Sequence, residues 1–81
     1  MSYGLKQTAN TTNAFDLTRM ELIGLTLAAN GLAASEIASR LSASEAEIEV
    51  ALHDAAQKLG ARNRVHAVTI AIRKGLIGIE V

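Results

Sequence analysis

The chain has 81 residues, enough for a single domain, and 49% of them are hydrophobic. A formal net charge of zero excludes a general attraction to nucleic acid or to a membrane, so any basic patch must be local. The absence of Cys excludes disulfides and thiolate metal sites, and neither a secretory signal nor a membrane span is visible, so we expect a cytoplasmic protein.

Residues 1–16 are rich in Thr, Asn, Gln and Ser, and this composition predicts a flexible N-terminal tail. An arm that reaches a partner is the functional alternative, although Lys6 alone is a weak basis for an arm in a DNA groove. Leu5 and Phe15 could instead dock on the body of the domain. The body is predicted to span residues 17–77, with a short C-terminal tail over 78–81.

The first helix is predicted over about residues 18–30. Thr18-x-x-Glu21 has the form of a capping box, and Gly31 suits the position that ends a helix. Gly24 costs about 1 kcal/mol in mid-helix relative to Ala, and a close helix crossing there would offset that cost.

The second and third helices are predicted over about 35–41 and 44–59, with a tight turn between them. Ser44-x-x-Glu47 forms a second capping box, and Gly60 ends the third helix. Helical spacing predicts that one stripe of the third helix is buried. Its members are Ile48, Ala51, Leu52, Ala55 and Leu59.

The fourth helix is predicted over about 63–74, from an Asn63 cap to a stop at Gly75. Together the segments predict a compact all-α domain of four helices. Glu21 and Arg64 both fall on inward stripes, and because a lone buried charge is costly, we expect them to form a structural ion pair. The alternative for Arg64 is a contact with phosphate.

Two helices joined by a short turn, the second longer and amphipathic, form the helix-turn-helix pattern. The stretch from Leu17 to Ile77 resembles the DNA-binding domain of the LuxR/GerE family of bacterial transcription regulators. The matching residues are Leu17-Thr18-x-x-Glu21, Leu25, Ala29-x-Gly31, Glu36-Ile37-Ala38, Leu41, Ser44, Ile48, Lys58-Leu59-Gly60, Asn63-Arg64, Ala67-Val68, Ala71 and Gly75-Leu76.

The resemblance implies that the third helix enters the major groove of duplex DNA and that the fourth forms a two-fold dimer contact. Such a homodimer would read an inverted repeat with half-sites about one helical turn apart. The implied DNA-binding residues are Glu47, Glu49, Val50, His53, Gln57, Lys58, Arg62 and Arg40. The implied dimer residues are His66, Thr69, Ile70, Arg73 and Ile77.

The sequence departs from the family pattern at the reading helix. Family members commonly carry Thr, a basic residue and His at the positions of Glu47, Glu49 and Ala51. Carboxylates near a helix start favour the macrodipole, which explains Glu45 and Glu47 without a partner. The same effect explains Glu49 poorly and Asp54 not at all. Ser44–Leu59 holds four acids and one base, whereas Gly60–Lys74 holds four bases and no acid.

Two functions follow. The first is a dimeric transcription regulator that binds duplex DNA; the alternative is an interaction module whose acidic third helix binds a partner such as a regulator protein. The apolar residues Met20, Ile23 and Leu27, and Ile70, Ile77, Ile79 and Val81 outside the fourth helix, favour an interface such as self-association. We predict no enzyme, cofactor or metal, because no catalytic set is visible and His53 and His66 lie on different helices.

Overall fold

A computed structural model describes residues 15–79. It contains α1 (Arg19–Ala29), α2 (Ala34–Leu41), α3 (Glu45–Lys58) and α4 (Arg64–Arg73), and no strand within those residues. The predicted division into four helices is confirmed, and each boundary agrees to within one residue. Most of the predicted N-terminal tail, including Leu5 and Lys6, and the C-terminal Val81 lie outside the described residues.

The helices begin at the predicted caps. The Thr18 hydroxyl accepts from the Glu21 N–H at 3.1 Å, and the Glu21 carboxylate accepts from the Thr18 N–H at 2.8 Å. Ser44 and Glu47 make the same reciprocal pair at 3.0 and 2.8 Å. The Asn63 side chain accepts from the His66 N–H at 2.8 Å and starts α4. Each contact satisfies an amide that has no partner inside its helix.

The helices end where the backbone turns left-handed. Gly60 has a φ of +69° directly after the last turn of α3, a conformation that glycine adopts without the steric penalty of a Cβ atom. α2 ends at Ser42, which takes a left-handed conformation with φ 54° although it is not glycine. This residue forms the tight turn between α2 and α3.

α3 lies at the centre of the fold and contacts each of the other three helices. Its predicted inner stripe is buried, which confirms that prediction: Ile48, Ala51, Leu52, Ala55 and Leu59. Leu17, Leu25 and Ile37 are also fully buried and complete an aliphatic core. Phe15 packs against this core from the end of the N-terminal segment, in agreement with the alternative that it docks on the body of the domain.

Gly24 is buried on α1 and faces Leu52 of α3. A Cβ atom at Gly24 would lie 3.4 Å from the Leu52 Cδ2 atom, which is an ordinary van der Waals distance. The expected helix contact at Gly24 is therefore present, but it leaves room for a methyl group.

The predicted Glu21–Arg64 ion pair is wrong. Glu21 is buried, with 5% of its surface exposed, and its carboxylate lies 2.9 Å from the Lys58 ammonium. Arg64 is exposed and pairs with Glu49 on α3. Arg64 is the first residue of α4, at the margin of the core, where a long side chain reaches solvent and the neighbouring helix.

Two residues expected on the outside of α4 are partly covered. Ile70 and Ile77 pack against the core, and so does Leu27 of α1. Met20 and Ile79 are exposed, as the sequence predicted. The apolar surface beside α4 is consequently smaller than the sequence indicated.

Candidate nucleic-acid interface

α2 and α3 form a helix-turn-helix. An eight-residue helix is followed by a turn over residues 42–44 and then by a fourteen-residue helix. Both helices bury apolar residues against the shared core, including Ile37 of α2 and Ile48 of α3. This packing fixes α3 firmly and leaves its opposite side open to solvent.

One exposed surface of α3, here called the outer face, combines residues at helical spacing. Its members are Ala46, Glu49, Val50, His53 and Gln57, all of them exposed. Val50 is 59% exposed although it is aliphatic. The outer face brings together four of the residues predicted to contact DNA, whereas Glu47 is engaged in the Ser44 capping box.

Glu49 and Arg64 form a hydrogen-bonded ion pair between α3 and the start of α4. Their side chains are 49% and 41% exposed, respectively, so the pair lies at the surface. The pair neutralises the charge of Glu49, an acid on the surface of α3 that would otherwise repel the phosphates of DNA. Sequence reasoning missed it, although the acidic α3 segment beside a basic α4 segment was the signal that could have found it.

Lys58 makes structural contacts with α1 and with the segment that precedes it. Its ammonium donates to the Glu21 carboxylate at 2.9 Å and to the Asp16 carbonyl at 3.1 Å. These contacts join the end of α3 to the start of α1 and to the segment that precedes it. The structure thereby places the ammonium against α1, away from the residues of the outer face.

A cleft of about 370 Å³ lies between α3 and the α3–α4 connection, and we call it the α3–α4 cleft. Its polar lining consists of Glu49, His53, Gln57, Arg62, Asn63 and Arg64. Arg62 is exposed, and its backbone N–H donates to the His66 Nδ1 atom at 3.0 Å. The cleft therefore places two arginines directly beside the outer face. Arg40 is exposed separately, in the last turn of α2.

The residues predicted at a dimer contact differ in exposure. Thr69 and Arg73 of α4 are exposed. His66 is half-buried, and Ile70 and Ile77 pack partly against the core. Thr69 also donates its hydroxyl to the Val65 carbonyl at 3.1 Å, a bond within the helix. Val65 of α4 is 76% exposed, so the surface available on this helix combines an aliphatic side chain with the polar Thr69 and Arg73.

A second groove, of about 420 Å³, lies between the start of α1 and α3, and we call it the Met20 groove. Its lining is Thr18, Met20, Glu21, Ala46, Glu47, Val50, Ala51 and Asp54. Met20 is 39% exposed, and the lining combines apolar side chains with the exposed acids Glu47 and Asp54. Helical spacing indicated that Met20 lies off the buried stripe but could not place it next to Val50.

Residues 15–79 hold neither a cluster of metal ligands nor a membrane-spanning helix. Within this part of the chain no three His, Asp or Glu side chains gather as metal ligands. None of the four helices described has the length and apolar character needed to cross a membrane.

Lys74 lies 5.6 Å from the centre of the Phe15 ring, a cation–π contact that holds the N-terminal segment near α4.

Comparison with known proteins identifies relatives of this domain. The family model described as bacterial regulatory proteins, luxR family, matches residues 16–71. The transcriptional regulatory protein YdfI of Bacillus subtilis is 41% identical over 68 residues, 84% of this chain and 32% of that protein. The response regulator RamR of Streptomyces coelicolor is 44% identical over 59 residues, 73% and 29% of the two chains. The chain thus spans about a third of the length of these relatives.

Proposed function

The chain belongs to the luxR family of bacterial regulatory proteins, and we propose that it binds duplex DNA by placing the outer face of α3 in the major groove. This family is one of regulatory proteins and not of enzymes, in agreement with the sequence prediction. The observation that carries the proposal is the exposed outer face on the second helix of a helix-turn-helix. Such a helix is the element that reads bases in this motif.

The acidic composition of α3 is compatible with this proposal because the fold engages two of its four acids. Glu47 caps the helix start, and Glu49 pairs with Arg64. Arg62 and Arg64 stand beside the outer face, and the exposed Arg40 lies on the preceding helix. Arginines beside a reading helix supply the phosphate contacts that provide much of the affinity for DNA.

The chemistry of the outer face suits direct contact with bases. Ala46 and Val50 present methyl groups that match the thymine methyl in the major groove. His53 and Gln57 add hydrogen-bonding groups one and two turns further along the helix. The face therefore offers both apolar and polar readout.

We further propose that two copies associate through α4 and read an inverted repeat. Thr69 and Arg73 are the exposed members of the predicted contact, flanked by the partly buried His66, Ile70 and Ile77. A two-fold contact uses the same surface on both copies, so half-sites would be spaced by about one helical turn of DNA.

The names of two relatives support a role in transcription regulation. YdfI and RamR carry the names of a transcriptional regulatory protein and a response regulator, and the chain matches about a third of each. We therefore propose that the chain supplies the DNA-binding part of transcription regulation in the bacterial cytoplasm.

A second candidate function rests on the Met20 groove. Its apolar and acidic lining residues suit a basic, amphipathic segment of a regulator protein, which would insert an apolar residue between Met20 and Val50. A protein partner bound there would cover Val50 and compete with DNA for α3. This function predicts a stable complex with a regulator protein and no binding to duplex DNA.

The proposal is tested by titrating a labelled pool of random-sequence duplexes at several salt concentrations. We expect binding that weakens with salt, with a logarithmic slope of about −2 to −3 per protomer for two or three phosphate contacts. Val50→Glu should weaken binding at least about tenfold, because it adds an acid at the groove. Thr26→Glu adds an acid in the last turn of α1, outside the proposed DNA and dimer contacts, and should leave binding intact. A lack of duplex binding even at low salt would overturn the proposal.

A further inference from the structure

The Glu49–Arg64 pair points to a specific event during DNA binding. We propose that Arg64 exchanges the Glu49 carboxylate for a phosphate of the DNA backbone when the duplex enters the α3–α4 cleft. This inference rests on the proposed function and deepens it, since it assigns a phosphate site and a residue that opposes its use.

The position of Arg64 supports the exchange. Its guanidinium lines the α3–α4 cleft together with Arg62, His53 and Gln57, directly beside the outer face of α3. A duplex in contact with Val50 and His53 would bring one strand's backbone along this side of α3. The cleft is polar and open, and its lining supplies two guanidinium groups and hydrogen-bond donors suited to a single phosphodiester.

The energetics of the pair also favour exchange. Both side chains are about half exposed, and exposed ion pairs are weak because water and salt screen them. Phosphate is an equivalent partner, because a guanidinium fork binds carboxylate and phosphate oxygens with the same bidentate geometry. Lys58 behaves differently, because its partner Glu21 is buried and cannot be solvated if the ammonium leaves.

The alternative is that the Glu49–Arg64 pair remains hydrogen-bonded when the protein binds DNA. The two cases differ in how many phosphates the protein neutralises. If Arg64 exchanges partners, it contributes one phosphate contact in the natural protein, and its loss should reduce the salt slope. If the pair stays closed, Arg64 contributes no contact until Glu49 is removed.

Salt titrations of the duplex pool with the natural chain, Glu49→Gln and Arg64→Gln distinguish these cases. Exchange predicts that Arg64→Gln lowers the slope by about 0.9 per protomer, whereas Glu49→Gln binds several-fold more tightly at an unchanged slope. Arg64→Lys keeps the charge and should restore the slope, and Arg19→Gln, on exposed α1 surface, should leave it unaltered. Circular dichroism of each variant verifies that it folds.

Three results would count against the exchange. An unchanged slope in Arg64→Gln, or a slope that steepens by about 0.9 in Glu49→Gln, means that the pair stays closed, while the proposed function stands. Absence of duplex binding by every variant at low salt removes the proposed function and the exchange together.

Discussion

The Lys58 ammonium lies 2.9 Å from the Glu21 carboxylate and ties the end of α3 to the start of α1. The same carboxylate accepts from the Thr18 N–H at 2.8 Å, so one buried side chain both caps α1 and receives Lys58. Because Glu21 is shielded from water, these two donors replace the hydrogen bonds that its carboxylate would otherwise make to solvent. This partly buried ion pair therefore adds to the core packing that positions α3 and its outer face.

Replacing Lys58 with Met should lower the free energy of unfolding by about 1–3 kcal/mol, because it leaves the Glu21 carboxylate buried with one donor fewer. Urea denaturation followed by circular dichroism measures this loss. Arg40→Met removes an exposed cation of similar length and should change stability by less than about 0.5 kcal/mol. Equal losses in the two variants would contradict a structural role for Lys58.

Ser44→Ala removes the hydroxyl that accepts from the Glu47 N–H at 3.0 Å. We expect a loss of about 1 kcal/mol in unfolding free energy, the usual effect of deleting an N-cap. Ser39→Ala, on the exposed surface of α2, is the matched control and should be close to neutral. If thermal melts show the same midpoint for Ser44→Ala and the natural chain, the capping box contributes nothing to stability.

Gly24→Ala should stabilise the domain by about 0.5–1 kcal/mol, because alanine favours the helix and restricts the unfolded chain. The new methyl group would meet Leu52 at 3.4 Å, which the core accommodates. Gly24→Val adds bulk against the same side chain and should destabilise by about 1–3 kcal/mol. A loss of stability in Gly24→Ala would show that the crossing between α1 and α3 requires glycine.

Association through α4 predicts a dimer in sedimentation equilibrium. Thr69→Glu places one acid from each copy at a two-fold contact and should weaken dimerisation about tenfold or more, equivalent to at least about 1.4 kcal/mol. Ser39→Glu makes a similar change on α2 and should leave the dimer intact. A natural chain that sediments as a monomer at high concentration, or a Thr69→Glu variant that dimerises normally, would refute this contact.

The sequence predicted the fold closely because the signals that define it are local. Thr18 and Ser44 with their Glu partners, Asn63, and the glycines at helix ends each act within one turn of helix. The spacing of apolar residues then specified the buried side of α3. Each of these features depends only on neighbouring residues, so it could be interpreted without knowledge of the tertiary structure.

The charge partners could not be predicted in the same way. Glu21 had several cations within reach along the chain, and the choice of Lys58 over Arg64 depends on how α1, α3 and α4 are rotated against one another. The Glu49–Arg64 pair and the groove that Met20 and Val50 line together depend on the same tertiary arrangement. As a result, the sequence alone overstated how unfavourable the acidic residues of α3 are for DNA binding.

The most direct test of α3 as the reading helix is a titration of ¹⁵N-labelled protein with a duplex, followed by amide chemical shifts. We expect the largest changes at Val50, His53 and Gln57 on the outer face, accompanied by changes at Arg62 and Arg64 beside it. Residues 26–30 at the end of α1 should remain unchanged. Duplex-dependent shifts that spare the outer face of α3 while another surface responds would contradict the proposed mode of DNA binding.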